Sequence, residues 1–221
     1  MSTAATDARE TSATPGPLFV FALFYGGMVC IAGVLGNKQV ALGPLAVEAG
    51  IFAFLMLVVT SSAVAELYGR STANWLVMCG FLPLLASLAL TLLVLAAPAS
   101  PEMSEERLTA FDTMMAATPR IWIGGLIAYG TSQLLNVTIF SWLKHRQGGL
   151  LALRSAIASV LSQAVDTLIF ITIAFHGVFP IAELLLGQLI SKVVLSVIMV
   201  PPLVYLFVRL ARARGSSLTT S

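Results

Sequence analysis

Six long apolar runs occupy most of this 221-residue chain, and they decide the solvent in which it can fold. They read as Leu18–Leu35, Gly50–Ala65, Asn74–Ala97, Ile121–Leu143, Ser155–Ala174 and Ile181–Phe207. About 20 apolar residues, wound as a helix, span the hydrocarbon layer of a bilayer. Backbone polar groups must pair internally in lipid, so runs of this kind fold as helices. The expected fold is therefore an all-α membrane protein, a compact bundle of six transmembrane helices over residues 18–208. Residues 1–17, rich in Ser, Thr and Ala, read as a disordered tail, and 209–221 as a basic tail. Pro98 to Arg120 is short and acidic and reads as a surface loop, as does the connection carrying Asn37 and Lys38.

Hydrophobic residues make up 58% and charged residues 10% of the chain, which leaves nothing for a separate soluble domain. Placement of the charges is more informative than their sum. With the N-terminus on side one, that side carries Arg9, Arg70, Lys144, Arg146, Arg154, Arg209, Arg212 and Arg214. Side two carries Lys38, Arg107 and Arg120, and Lys192 is left inside the last run. Cytoplasmic loops are enriched in Lys and Arg, so both termini are expected in the cytoplasm. Cys30 and Cys79 fall inside apolar runs and read as small buried hydrophobes.

A charge near the bilayer centre costs at least about 2.5–3.5 kcal/mol on insertion scales, so each one needs a reason. In the fifth run Ser155, Ser159, Ser162 and Asp166 share a helical face, with Gln163 at its border and Phe170 one turn on. In the sixth, Gln188, Lys192 and Ser196 share a face, and Asp166 is the natural partner for Lys192. Pro201 and Pro202 either kink this helix or mark its end. In the fourth run Tyr129, Gln133, Asn136 and Phe140 mix amides with rings. Near the end of the second, Ser62 and Glu66 share a face, with Arg70 as an i+4 partner for Glu66. Interhelical hydrogen bonding accounts for many such residues; a ligand site accounts for the carboxylates better.

The chain lacks the GxxxxGK[ST] phosphate loop and the HExxH and GxSxG motifs, so an ATPase, protease or lipase is not expected. No metal or cofactor is expected, because His145 and His176 share no ligand spacing. No feature points to nucleic acid. Polar faces spread over several helices suit a small-molecule cavity better than a reaction centre.

The combination of ELYG after the second run, YGTSQLLNVTIF in the fourth, RSAIASVLSQAVDTLIFITIAFHG in the fifth and GQLISKVVLSVIMVPPLVY in the sixth resembles the queuosine-precursor transporters, a branch of the vitamin-uptake transporter superfamily. The likeness runs from about Asn37 to Tyr205, and the fifth-run segment is its most specific part. It implies a six-helix protein of the bacterial inner membrane that imports 7-cyano- or 7-aminomethyl-7-deazaguanine. Many members carry Asp where this chain has Ser62 and Asn136. A 7-deazaguanine presents an N1–H and a 2-amino group that one carboxylate can accept together. The substrate-binding set implied is then Glu66, Asp166, Lys192, Asn136, Gln133, Gln163, Ser162, Phe170 and Tyr129. Glu66 is the preferred base-reading carboxylate, since Lys192 already occupies Asp166. Two other readings stay open: a binding subunit that needs a separate energising module, and a non-transporting membrane assembly protein. The oligomeric state is open too, a homo-oligomer included.

Overall fold

The computed structural model describes residues 16–42, 45–116, 119–147, 150–177 and 181–217. The tail expected at residues 1–17 lies outside them except for Gly16 and Pro17. In chain order the elements are α1 (Pro17–Leu35), β1 (Gln39–Leu42), β2 (Leu45–Glu48), α2 (Gly50–Ala96), α3 (Glu105–Met115), α4 (Pro119–Gln147), α5 (Leu151–Phe175) and α6 (Ile181–Ser217). Helix α2 is two spans, Gly50–Tyr68 and Arg70–Ala96, so six helical segments are long and apolar enough to cross a membrane. The shortest has 19 residues, which at the α-helical rise gives about 28 Å, close to the thickness of the hydrocarbon layer.

Gly69 separates the two spans of α2 with φ 87° and ψ 169°, a conformation that only a residue without Cβ adopts at low cost. Contacts with α4 show that the chain reverses there. Ser61 meets Gln133 and Glu66 meets Lys144, whereas Arg70 meets Thr138 and Val77 meets Tyr129. The first span thus runs with α4 and the second runs against it.

The span Gly50–Tyr68 sits at the centre of the bundle, with 72% of it buried against 11% of Arg70–Ala96. Its sequence explains this. Val58, Val59, Ala63, Val64 and Ala65 alternate with Thr60, Ser61 and Ser62, and small or β-branched side chains let neighbouring backbones approach on every side. At one end of the bundle Phe207 of α6 stacks on Phe21 at 5.9 Å and meets Phe24 edge-on at 5.6 Å, which ties α6 to α1. That end also carries Lys144, His145 and Arg146 of α4 and Arg209 and Arg212 of α6, and is called the basic end below.

Two connections differ from expectation. The loop after α1 is an antiparallel hairpin with Gln39 opposite Glu48 and Val40 opposite Val47. Its base is closed by the Ala49 N–H donating to the Lys38 carbonyl at 2.7 Å, and β2 packs on α6. The acidic segment holds α3, with Glu105 and Glu106 in the first turn, where carboxylates meet the positive end of the helix dipole. Helix α6 continues through Pro201 and Pro202 to Ser217, so the start of the expected tail is helical.

Candidate functional site

The polar stripe of α5 faces the bundle: Ser155, Ser159, Ser162 and Asp166 are all buried. Asp166 lies nine residues before Phe175, about 13 Å from the end of α5 remote from the basic end. Its Oδ2 accepts from Lys192 Nζ at 2.8 Å, and its Oδ1 accepts from Ser132 Oγ at 3.1 Å. Both carboxylate oxygens are therefore engaged, and the pair joins α4, α5 and α6. The side chains of Lys192 and Asp166 are only 10% and 6% exposed, so each charge depends on the other for compensation. This is the pairing expected from the sequence.

Asp166 and Lys192 form part of the wall of a cavity of about 690 Å³ in the half of the bundle nearest the β-hairpin. That volume is in the range of small-molecule sites, about 300–1,000 Å³. All six spans contribute to its wall, and so does the end of α3. Phe170 and Tyr129 supply aromatic surface, Gln188 an amide, and Glu48 a second carboxylate. Tyr129 is held rigidly: its Oη donates to the Val77 carbonyl at 2.8 Å and lies 3.2 Å from Tyr25 Oη. Its ring meets Phe81 edge-on at 5.0 Å. Gly80 packs against that hydroxyl with no room for a Cβ.

Glu48 was not anticipated. It ends β2, outside every apolar run, where a lone glutamate before a helix reads as an ordinary start signal. Burial pushes its pKa above the usual carboxylate value, Lys192 pulls it back, and Asp166 pushes it up again. Glu48 thus feels both Lys192 and Asp166 across the cavity. Cys30, expected to be buried, is exposed and lines the same cavity, with Ser87 Oγ donating to its sulfur at 3.2 Å.

The other sequence-derived candidates lie elsewhere. Glu66 sits at the basic end, where its Oε2 is 3.2 Å from both Lys144 Nζ and Arg154 Nη2. Lys144 Nζ also donates to the Glu66 carbonyl at 2.7 Å. Arg154 is only 2% exposed and lies over the Phe140 ring at 5.1 Å. The i+4 pairing of Glu66 with Arg70 does not form, because Gly69 breaks the helix between them; Arg70 donates to Thr138 Oγ1 at 3.1 Å instead.

Asn136 Nδ2 donates to Ser61 Oγ at 3.1 Å and Ser62 Oγ at 3.0 Å, and Ser61 Oγ donates to Gln133 Oε1 at 3.4 Å. Ser62 and Asn136, the two positions where the resemblance implies Asp, are thus hydrogen-bonded to each other. Ser162 donates to the Ser159 carbonyl at 3.1 Å, and the Gln163 carbonyl accepts from Thr167 Oγ1 at 2.9 Å. None of Glu66, Gln133, Asn136, Ser162 and Gln163 lines the cavity; together they fill the bundle between it and the basic end. The structure therefore brings together Asp166, Lys192, Phe170 and Tyr129, adds Glu48, and leaves the rest as interhelical polar packing.

A family model described as "Putative vitamin uptake transporter" matches residues 48–207. A curated relative, the "Probable queuosine precursor transporter" of Bacillus subtilis (strain 168), is 32% identical over 146 residues. That alignment covers 65% of this chain and 62% of the relative, so the chain spans under two thirds of the relative's length. No solved structure matches. A match over most of a six-span bundle, with a ligand-sized cavity walled by all six spans, places this multi-pass membrane protein in the vitamin uptake transporter family.

Proposed function

We propose that this protein imports a queuosine precursor, a 7-deazaguanine with a cyano or aminomethyl group at C7, across a bacterial inner membrane. The observation that carries the reading is the cavity: a charge pair with both oxygens of Asp166 engaged, flanked by the rings of Phe170 and Tyr129. A flat heterocycle stacks on aromatic side chains, and in single-stranded nucleic acids each such contact is worth about 1–3 kcal/mol. The relative in Bacillus subtilis supports the substrate class.

Orientation follows from charge. Lys144, Arg146, Arg154, Arg209 and Arg212 cluster at the basic end, which supports a cytoplasmic location for it and for both termini. The cavity then belongs to the outward-facing half, and the contacts of Glu66 with Lys144 and Arg154 close the inner half. Passage inward requires the polar layer of Ser61, Ser62, Gln133 and Asn136 to part, as expected for alternating access about a site within the membrane.

The test is complementation. A bacterial host unable to make the precursors and lacking its own transporter is given this gene and each precursor in turn at low concentration, and queuosine in tRNA is measured. Restoration with at least one compound is expected. No restoration with either, at normal membrane levels of the protein, refutes the assignment. Rescue by this chain alone also argues against an obligatory energising module.

A further inference from the structure

The pairing of Lys192 with Asp166 leaves one carboxylate unaccounted for among the described residues that line the cavity. Glu48 lines it, and among the described residues it makes no ion pair. The wall thus carries two carboxylates and one ammonium, with that ammonium 2.8 Å from Asp166. Each Asp166 oxygen already accepts a hydrogen bond, so the Glu48 carboxylate is the less committed of the two toward a guest.

Its position is fixed from the backbone outward. Glu48 pairs with Gln39 across the hairpin, the next residue closes the hairpin base onto Lys38, and Gly50 then begins the central span. Gly50 packs against the Ala32 carbonyl and Gly36 with no space for a Cβ, so the junction between the hairpin and α2 sits tightly on the end of α1, while β2 packs on α6. Glu48 is therefore presented from a built wall.

We infer that Glu48 reads the ring edge of the transported base: its two oxygens accept the adjacent ring N–H and exocyclic amino N–H of a guanine-type ligand, while Lys192, positioned by Asp166, donates to the ring carbonyl. This rests on the function proposed above and assigns the recognition within it. An ammonium has three donors, and one is used on Asp166, which leaves two for the carbonyl. Acceptor and donor then match the donor–donor–acceptor edge of guanine. An adenine-type edge would set a ring lone pair against the carboxylate, and a site with unpaired buried polar groups rejects such a ligand strongly. The desolvation that raises the Glu48 pKa also strengthens hydrogen bonds to its ionised form.

The experiment is calorimetric binding to the purified protein in nanodiscs, with 7-cyano-7-deazaguanine, its counterpart lacking the 2-amino group, and 7-aminomethyl-7-deazaguanine. The unsubstituted protein should prefer the 2-amino compound by about 10- to 100-fold. Glu48→Gln should weaken both guanine-type ligands alike and bring that preference within about threefold, because an amide offers one acceptor and opposes the second donor. An unchanged preference in Glu48→Gln overturns the assignment, and so does a loss confined to the aminomethyl compound, which would place Glu48 against the C7 amine. Should Glu48→Gln not fold, Glu48→Asp serves: it keeps the charge but withdraws both acceptors by one methylene, so a reduced preference supports the assignment and an unchanged one overturns it. If the unsubstituted protein binds no precursor, the proposed function itself fails, and this assignment with it.

Discussion

Replacing Asp166 by Asn while Lys192 remains isolates the charge pair. At 2.8 Å and an effective dielectric of about 20, the Coulomb attraction is about 6 kcal/mol. Withdrawing two ions from water costs several kcal/mol each, so the intact pair adds little net stability. Breaking it is different, because the Lys192 ammonium stays behind at 10% exposure with no counter-charge in contact. Such losses run at about 3–5 kcal/mol; the cavity gives Lys192 some access to water, so the lower end applies. For a chain of this size, about 3 kcal/mol corresponds to a fall of roughly 6–12 °C in the melting temperature. Adding Lys192→Met removes the stranded charge and should restore stability to within about 1 kcal/mol of the parent. Thermal unfolding in detergent, followed by tryptophan fluorescence, reads both variants. Two results would refute the reasoning: a loss below about 1 kcal/mol for Asp166→Asn, or a double variant as damaged as the sum of the single ones.

Glu66→Gln weakens the closure of the basic end but touches no cavity wall, so precursor affinity in nanodiscs should stay within about threefold while cellular uptake falls; a binding loss of about 100-fold would return Glu66 to the site. Gly80→Ala places a methyl group against the Tyr129 hydroxyl and 2.8 Å from the Tyr25 ring, and overpacking of this kind costs about 1–3 kcal/mol, to be read as a lower melting temperature with weakened binding. Glu48 has a pKa raised from 4.5, so the folded state holds this proton more tightly than the unfolded chain, and its charged form destabilises the fold as pH rises through that window. Glu48→Gln should therefore melt a few degrees higher than the parent near neutral pH and equal it below about pH 4, with Lys192 and Asp166 unchanged in both proteins. A gain that persists in acid would show a cause other than this charge.

The spans were legible because lipid imposes one rule on every residue in them, so run length alone identifies Pro17–Leu35 and Leu151–Phe175. Asp166 and Lys192 were legible for the same reason: a buried charge must have a partner, and depth along each helix left few choices. Glu66 shows where local spacing fails. The i+4 rule presumes an unbroken helix, and the left-handed turn at Gly69 sends Arg70 to α4 and leaves Glu66 to Lys144 and Arg154. The amides of α4 obeyed helical spacing, yet whether that face meets a cavity or another helix depends on what α2 places opposite, and Ser61 and Ser62 fill it. Glu48 escaped because attention to apolar runs passes over the connections. Its signal was faint but present: Gln39–Leu42 and Leu45–Glu48 carry valines on either side of a Gly-Pro pair, which is hairpin punctuation. Tertiary seating of that hairpin against α6 is what turns a loop glutamate into part of a site.

The one-residue reversal at Gly69 also bears on biogenesis. No connecting loop lies between Gly50–Tyr68 and Arg70–Ala96, so the translocon has no slack with which to release one segment and hold back the other. The mostly enclosed first segment, with its serines and Glu66, therefore enters the lipid in company with a greasier sister that can face acyl chains directly. Reporter fusions or glycosylation acceptors inserted at this bend would split a unit that is delivered whole, which makes the bend the wrong place to map sidedness and the right place to arrest assembly.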